Sequence, residues 1–409
     1  MKLHTRVAAA ILFAHLFFVG ATLHAQKAPA QEHLKTFDLP CNAKSAEISP
    51  DEQSVVTDCI VESAEAHPPG TKEIFAETVK LWDFERSRLI AEFSVPRGNG
   101  SDSEDHFFAN PQVSGRFVRF TADGTLVEAL IDETVHILRA TDLAELRTIR
   151  LAKPQSLVQE RGGTTIVNKP VVRAMEISPD GKLTAVLWLR DTLHGSIQLY
   201  DLSSGAEVRD WNTPTGWLGH SKGFVYNASG DLLVVAIPNN TPCFPPNRDP
   251  DVFAFDVQTG EVRFKFATGL LTGSVAVGPD NSVLAVDVNC RGVFRDRDPK
   301  LKIFDMASGK GTRTLSGRGS GIRNLVSSSA DGSRFLAFTG KMKVNFDWGD
   351  GTAYSVPVDE TFSIWNFSNY EGIVTSQNIP GLRESVVRLS SKGRYAVSFG
   401  RASFVYQLP

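Results

Sequence analysis

Gly219-His220-Ser221-Lys222-Gly223 sets a serine between two glycines at the spacing of a hydrolase nucleophile elbow. An elbow needs a strand before it and a helix behind it, so that the hydroxyl stands proud of a sheet on a strained turn. The chain continues instead as "FVYNASGDLLVVAI", a strand, a turn and a strand, so the Gly-His reads as the lead-in to a strand. A second cluster, Asp347 and Asp350 with Asp359 and Glu360, gathers four carboxylates in one short stretch. Such oxygens suit a hard cation, and Ca²⁺ is the one this set would take. Their spacing departs from the regular Ca²⁺ loop, and the stretch reads instead as a β-hairpin turning at Gly349-Asp350-Gly351. His33, His67, His106, His136, His194 and His220 are dispersed without zinc-ligand spacing. These motifs assign no catalytic residue, and no resident metal or cofactor is expected.

The first residues read MKLHTRVAAAILFAHLFFVGATLHAQ: a basic start at Lys2 and Arg6, an apolar run to Val19, and a small residue at Ala25. This is the pattern of a signal peptide over 1–25, cut after Ala25. The run falls short of the roughly 20 residues a membrane span needs. A secreted or periplasmic location is expected, with a single domain over 26–409. Forty-three Lys and Arg against 46 Asp and Glu give a net charge of −3. Both signs are interspersed, so nothing recommends a nucleic-acid or anionic-membrane partner.

Any site has to be held by the repeat that fills the chain. Seven turn motifs recur: Ser49-Pro-Asp-Glu52, Thr121-Ala-Asp-Gly124, Ser178-Pro-Asp180-Gly181, Ala228-Ser-Gly-Asp231, Gly278-Pro-Asp-Asn281, Ser329-Ala-Asp331-Gly332 and Ser390-Ser-Lys-Gly393. Each joins two short apolar strands, as in "AMEISPDGKLTAVLW". A third strand and an Asp-x-x-(Ser/Thr)-Gly turn come next at Asp201 to Gly205, Asp256 to Gly260 and Asp305 to Gly309. The unit is a four-stranded antiparallel blade. Blades are expected at about 43–96, 113–151, 171–213, 223–268, 272–317, 322–378 and 384–409, the last completed by 33–40. The alternating run 33–40 pairs with the terminal strand 403–409 and closes the ring, which covers an otherwise exposed edge.

With Gly219-His220 before a first strand, and Trp82-Asp83 closing a third, the chain resembles the WD40-like and YVTN-type seven-bladed β-propeller superfamily. A six-bladed TolB-like propeller is the alternative. The resemblance implies an all-β fold and leaves function open, because propellers host unrelated activities.

In such a meander the short repeat turns share one end, while second-to-third and blade-to-blade connections share the other. The long insertions 61–78, 96–112, 152–170, 238–251, 289–300 and 340–361 all belong to the second end. That loop-bearing face is the expected surface for a protein, peptide or glycan ligand on a monomeric scaffold. The competing expectation is an enzyme, lactonase-like or quinoprotein-dehydrogenase-like, acting over the central channel. Blade register also pairs Cys41 with Cys59 and Cys243 with Cys290, as an exported chain with four cysteines would need.

Overall fold

A computed structural model describes residues 36–39, 41, 43–62, 74–96, 117–161, 164–191, 193–216, 218, 223–238, 249–269, 272–287, 301–315, 322–346, 353–369, 372–377, 386–399 and 404–408. They form seven four-stranded antiparallel sheets and one hairpin, with no helix among them. Six sheets are plain meanders: blade 1 over 43–96, blade 2 over 117–150, blade 3 over 171–212, blade 4 over 224–266, blade 5 over 272–315 and blade 6 over 322–377. Blade 7 takes Val386–Leu389, Tyr395–Phe399 and Phe404–Gln407, then borrows Thr36–Asp38 as its outer strand. In that pairing Phe37 stands opposite Val405. Seven sheets exclude the six-bladed alternative.

First strands line the axis, each touching the first strand of the next blade, and blade 7 touches blade 1. The core lies between blades. The third strands of blades 1, 3, 4 and 5 each send a large aromatic side chain toward the preceding blade, at the position just before the Asp of the outer turn. Trp82 packs with Val397 and Phe399 of blade 7, Tyr200 with Ile137 and Ile149 of blade 2, and Phe255 with Leu187 and Leu199 of blade 3. Each such burial contributes about 2–3 kcal/mol. Trp82 also donates from Nε1 to the Thr57 hydroxyl at 3.0 Å, which satisfies the indole inside the seam.

The repeat turns are held by their own side chains. Ser178 donates to Asp180 at 2.6 Å, and the Gly181 N–H donates to the Ser178 carbonyl at 2.8 Å. Ser329, Asp331 and Gly332 repeat the arrangement at 2.6 Å and 3.0 Å. The outer turns are capped similarly, Asp201 accepting from the Ser204 N–H at 2.7 Å, Asp256 from the Thr259 N–H at 2.9 Å and Asp305 from the Ser308 N–H at 2.8 Å. Gly205, Gly260 and Gly309 close them with φ of 75°, 77° and 64°. Blade 4 corrects the register read from sequence: its turn is Asn227-Ala-Ser-Gly230, because the Gly230 N–H donates to the Asn227 carbonyl. Asn227 does there what serine or threonine does elsewhere, which hid the match.

Neighbouring turns also interlock. A Cβ on Gly124 would meet the Pro50 ring at 3.3 Å, and one on Gly332 would meet Pro279 at 2.9 Å. Where blade 1 meets blade 7 the equivalent residue is Glu52, which takes the left-handed conformation at φ 63°. Its buried carboxylate accepts from the Ser390 hydroxyl at 2.5 Å and the Lys392 N–H at 3.2 Å, and pairs with Arg394.

On the opposite face, Cys41 and Cys59 form a disulfide between the lead-in to blade 1 and its second strand. Two antiparallel ribbons project there. Arg334–Phe346 and Ala353–Asn366 stay paired from Gly340 opposite Glu360 out to Phe346 opposite Ala353, past the last pairs with their blade neighbours. Leu157–Arg161 and Thr164–Asn168 form the other, between blades 2 and 3. Residues 1–25, read from sequence as a signal peptide, and Cys243, Cys290, Asp347 and Asp350 lie outside the described residues.

Candidate functional site in the central channel

The residue two places before each repeat turn forms a ring at one level of the channel: Glu47, Arg119, Glu176, Val225, Ala276, Ser327 and Arg388 in blade order 1 to 7. Blades 7, 1, 2 and 3 therefore alternate charge, while blades 4, 5 and 6 present apolar or hydroxyl groups. First strands in blades 1, 3 and 5 carry bulges at Lys44, Arg173 and Gly273. A bulge re-aims a side chain, and Lys44 and Arg173 join the channel wall. The channel encloses about 510 Å³, and turn residues of all seven blades, from Pro50 to Ser391, line it at the face opposite the long loops.

The charges are wired in one direction around the ring. Glu47 accepts from Arg119 Nη1 at 3.1 Å and from the Phe120 N–H at 2.7 Å, both on blade 2. Arg119 in turn pairs with Glu176 on blade 3. Burial alone would lower the Arg119 guanidinium, but Glu176 and Glu47 more than reverse it and hold the group charged. Burial raises Glu176 despite Arg119 beside it. Behind this layer, on the second strand of blade 2, Glu128 stands opposite Arg119 and is fully buried. Burial pushes it up to about 8, against the pull of Thr184 and Arg119, so it is mainly protonated at neutral pH. Tyr226 is buried close by, its phenol raised by burial and by Glu176, Glu128 and Asp180.

Arg388 is the exception in the wiring. Glu47 is committed to blade 2, so Arg388 makes no hydrogen bond or ion pair with any described residue and rests over the Phe399 ring at 5.4 Å. Burial, then repulsion from Arg119, lowers it to about 10.

Of the residues singled out from sequence, Gly223 and the turn residues Asp331 and Gly332 line the channel, and Asp359, Glu360, His136 and His194 do not. Gly223, last of the Gly-x-Ser-x-Gly run, is seated where a Cβ would meet Val275 at 2.4 Å, a packing role; Gly219, His220, Ser221 and Lys222 lie outside the described residues. Asp359 and Glu360 occur in the blade 6 ribbon, opposite Lys341 and Gly340. His136 pairs with Glu145 at 2.7 Å and His194 with Asp191 at 2.9 Å, on the third strand of blade 2 and beside that of blade 3. Among the described residues no three His, Cys, Asp or Glu side chains are grouped to hold a metal ion. The channel ring is not apparent from motifs, although counting two back from each turn finds it.

No protein-family profile matches the chain, and no curated protein sequence matches it. Solved structures do. The β-propeller domain of Cps50 (Swd1) from Myceliophteria thermophila aligns with a TM-score of 0.55 at 13% identity, covering 92% of this chain and 100% of that one. A chain of the mitotic checkpoint complex aligns at 0.53 and 12% identity, covering 91% and 93%. With seven closed blades, these likenesses define the fold: a seven-bladed β-propeller. In this chain the ring closes through the N-terminal strand, and the residues two places before the repeat turns are charged in blades 7, 1, 2 and 3 and uncharged in 4, 5 and 6.

Proposed function

We propose that the chain is an exported, non-enzymatic propeller that binds a protein partner through its loop-bearing face. One observation carries this reading: the face projects two ribbons that have no neighbouring strand of their own blade beyond residue 339 or at 157–168. Two-stranded ribbons are marginal alone in water. On the shorter one Val158 and Val167 stand opposite each other and are 63% and 56% exposed, an apolar pair set out toward solvent. Export rests on the leader-like 1–25 and on the Cys41–Cys59 disulfide.

The test places a photo-crosslinking amino acid at Val158, or at Lys182 on the turn-bearing face, in cells that make the protein natively. A discrete adduct from position 158, lost when 340–360 is replaced by Asn-Gly or when Val167 becomes Asp, is expected. Equal adducts from position 182, or none from 158, refute the reading. The enzyme alternative has one point in its favour, the raised Glu128, but that carboxyl sits behind the channel wall instead of lining it.

A further inference from the structure

We propose that the channel, at the face opposite the long loops, binds a small organic carboxylate with a short apolar body. The anion belongs at Arg388. This guanidinium lines the channel, is half-buried, and makes no hydrogen bond or ion pair with a described residue, its partly exposed edge being the part a ligand reaches. A channel-lining guanidinium without an anionic hydrogen-bond partner offers an incoming carboxylate a charge-assisted bond. Glu47 and Glu176 hydrogen-bond Arg119 and act on Arg388 only through space, and Asp331 accepts from Ser329 and Ser333 in its own turn. Lys44 and Arg173 add positive charge on the same wall, so the lining favours an anion.

The far wall sets the rest of the ligand. Val225, Val275, Ala276 and Val277 of blades 4 and 5 line the channel without a charged group, and the Ser327 hydroxyl beside them accepts from the Leu389 N–H at 3.2 Å. An apolar body fits that side, and about 510 Å³ is in the range of small-molecule sites. A polyanion such as a phosphate ester gains nothing from the apolar wall and meets Glu47 and Glu176.

Calorimetric titration of the full-length secreted protein with 3-phenylpropionate tests this, with phenethylamine and inorganic phosphate as controls. Saturable binding of 3-phenylpropionate at one site is expected, at least tenfold tighter than either control. Arg388→Met should weaken it tenfold or more, Arg388→Lys less, and Lys44→Glu severalfold. Lys44 is partly exposed and stands outside the Glu47–Arg119–Glu176 wiring, so its variant folds even where Arg388→Met does not. Phosphate binding as tightly as 3-phenylpropionate overturns the proposal, as does unchanged affinity in both Arg388 variants and Lys44→Glu, or no binding by any probe.

Discussion

Six seams on the turn-bearing face are closed by a left-handed turn residue set against the preceding blade: Gly124, Gly181, Gly230, Asn281, Gly332 and Gly393. The seventh is closed by Glu52, a charged residue in a conformation that disfavours it, gripping Ser390, Lys392 and Arg394. The six are mostly close packing between turns that are neighbours in sequence. Glu52 and Ser390 are 338 residues apart. Packing of small residues is nearly interchangeable from seam to seam, whereas directed hydrogen bonds to a buried carboxylate fit one partner only. The closing seam is therefore specified, and the others are merely repeated.

Deleting 33–40 should have the largest effect, because it strips the outer strand from blade 7 and exposes its edge. Loss of the cooperative melt or aggregation in light scattering is expected; a monomer with an unchanged melting temperature would place closure in Glu52 alone. Gly332→Val attacks an ordinary seam, adding a clash with Pro279 to a positive φ, and should cost about 3 kcal/mol in urea unfolding. Glu52→Ala should cost about 1–3 kcal/mol, measured the same way, by leaving Ser390 and Arg394 without their acceptor. Arg394→Ala should cost less, since that side chain is 58% exposed and the Ser390 and Lys392 bonds remain.

Two smaller tests use pH. Glu128 has a folded pKa of about 8 against 4.5 when unfolded, so the unfolded chain releases this proton first. Stability should fall as pH rises from about 4.5 to 8, and Glu128→Gln should flatten that decline and raise the melting temperature at pH 8. Asp201 runs the other way, held down to about 2 by Ser203 and Ser204. Its contribution is present above about pH 4 and disappears toward 2, so Asp201→Asn should change acid unfolding slightly and neutral melting hardly at all.

The blades were legible because turn chemistry and alternation are local, and seven copies reinforce one another. Both ends of the closing sheet were legible for the same reason, as alternating runs lacking a partner. Glu52 was visible only as a turn lacking glycine, since its partners come from the far end of the chain. The Glu47–Arg119–Glu176 wiring was less legible still: each member is a single charge in an apolar strand, and only the ring brings the three together. The loop-bearing face showed its insertions by length, yet the exposed Val158 and Val167 pair needed the register of a hairpin to be seen.

Ring closure also sets a schedule. Thr36–Asp38 is made long before Phe404–Tyr406, with which it pairs. At ~5–20 residues per second, the ribosome needs roughly 20–70 s to supply the partner. Over that interval the early strand and the buried side of Glu52 have nothing to bind, and a partly made ring displays a strand edge and an acidic turn to whatever is nearby. Contacts this remote in sequence form late, so the seam that makes the mature ring specific is also its slowest joint.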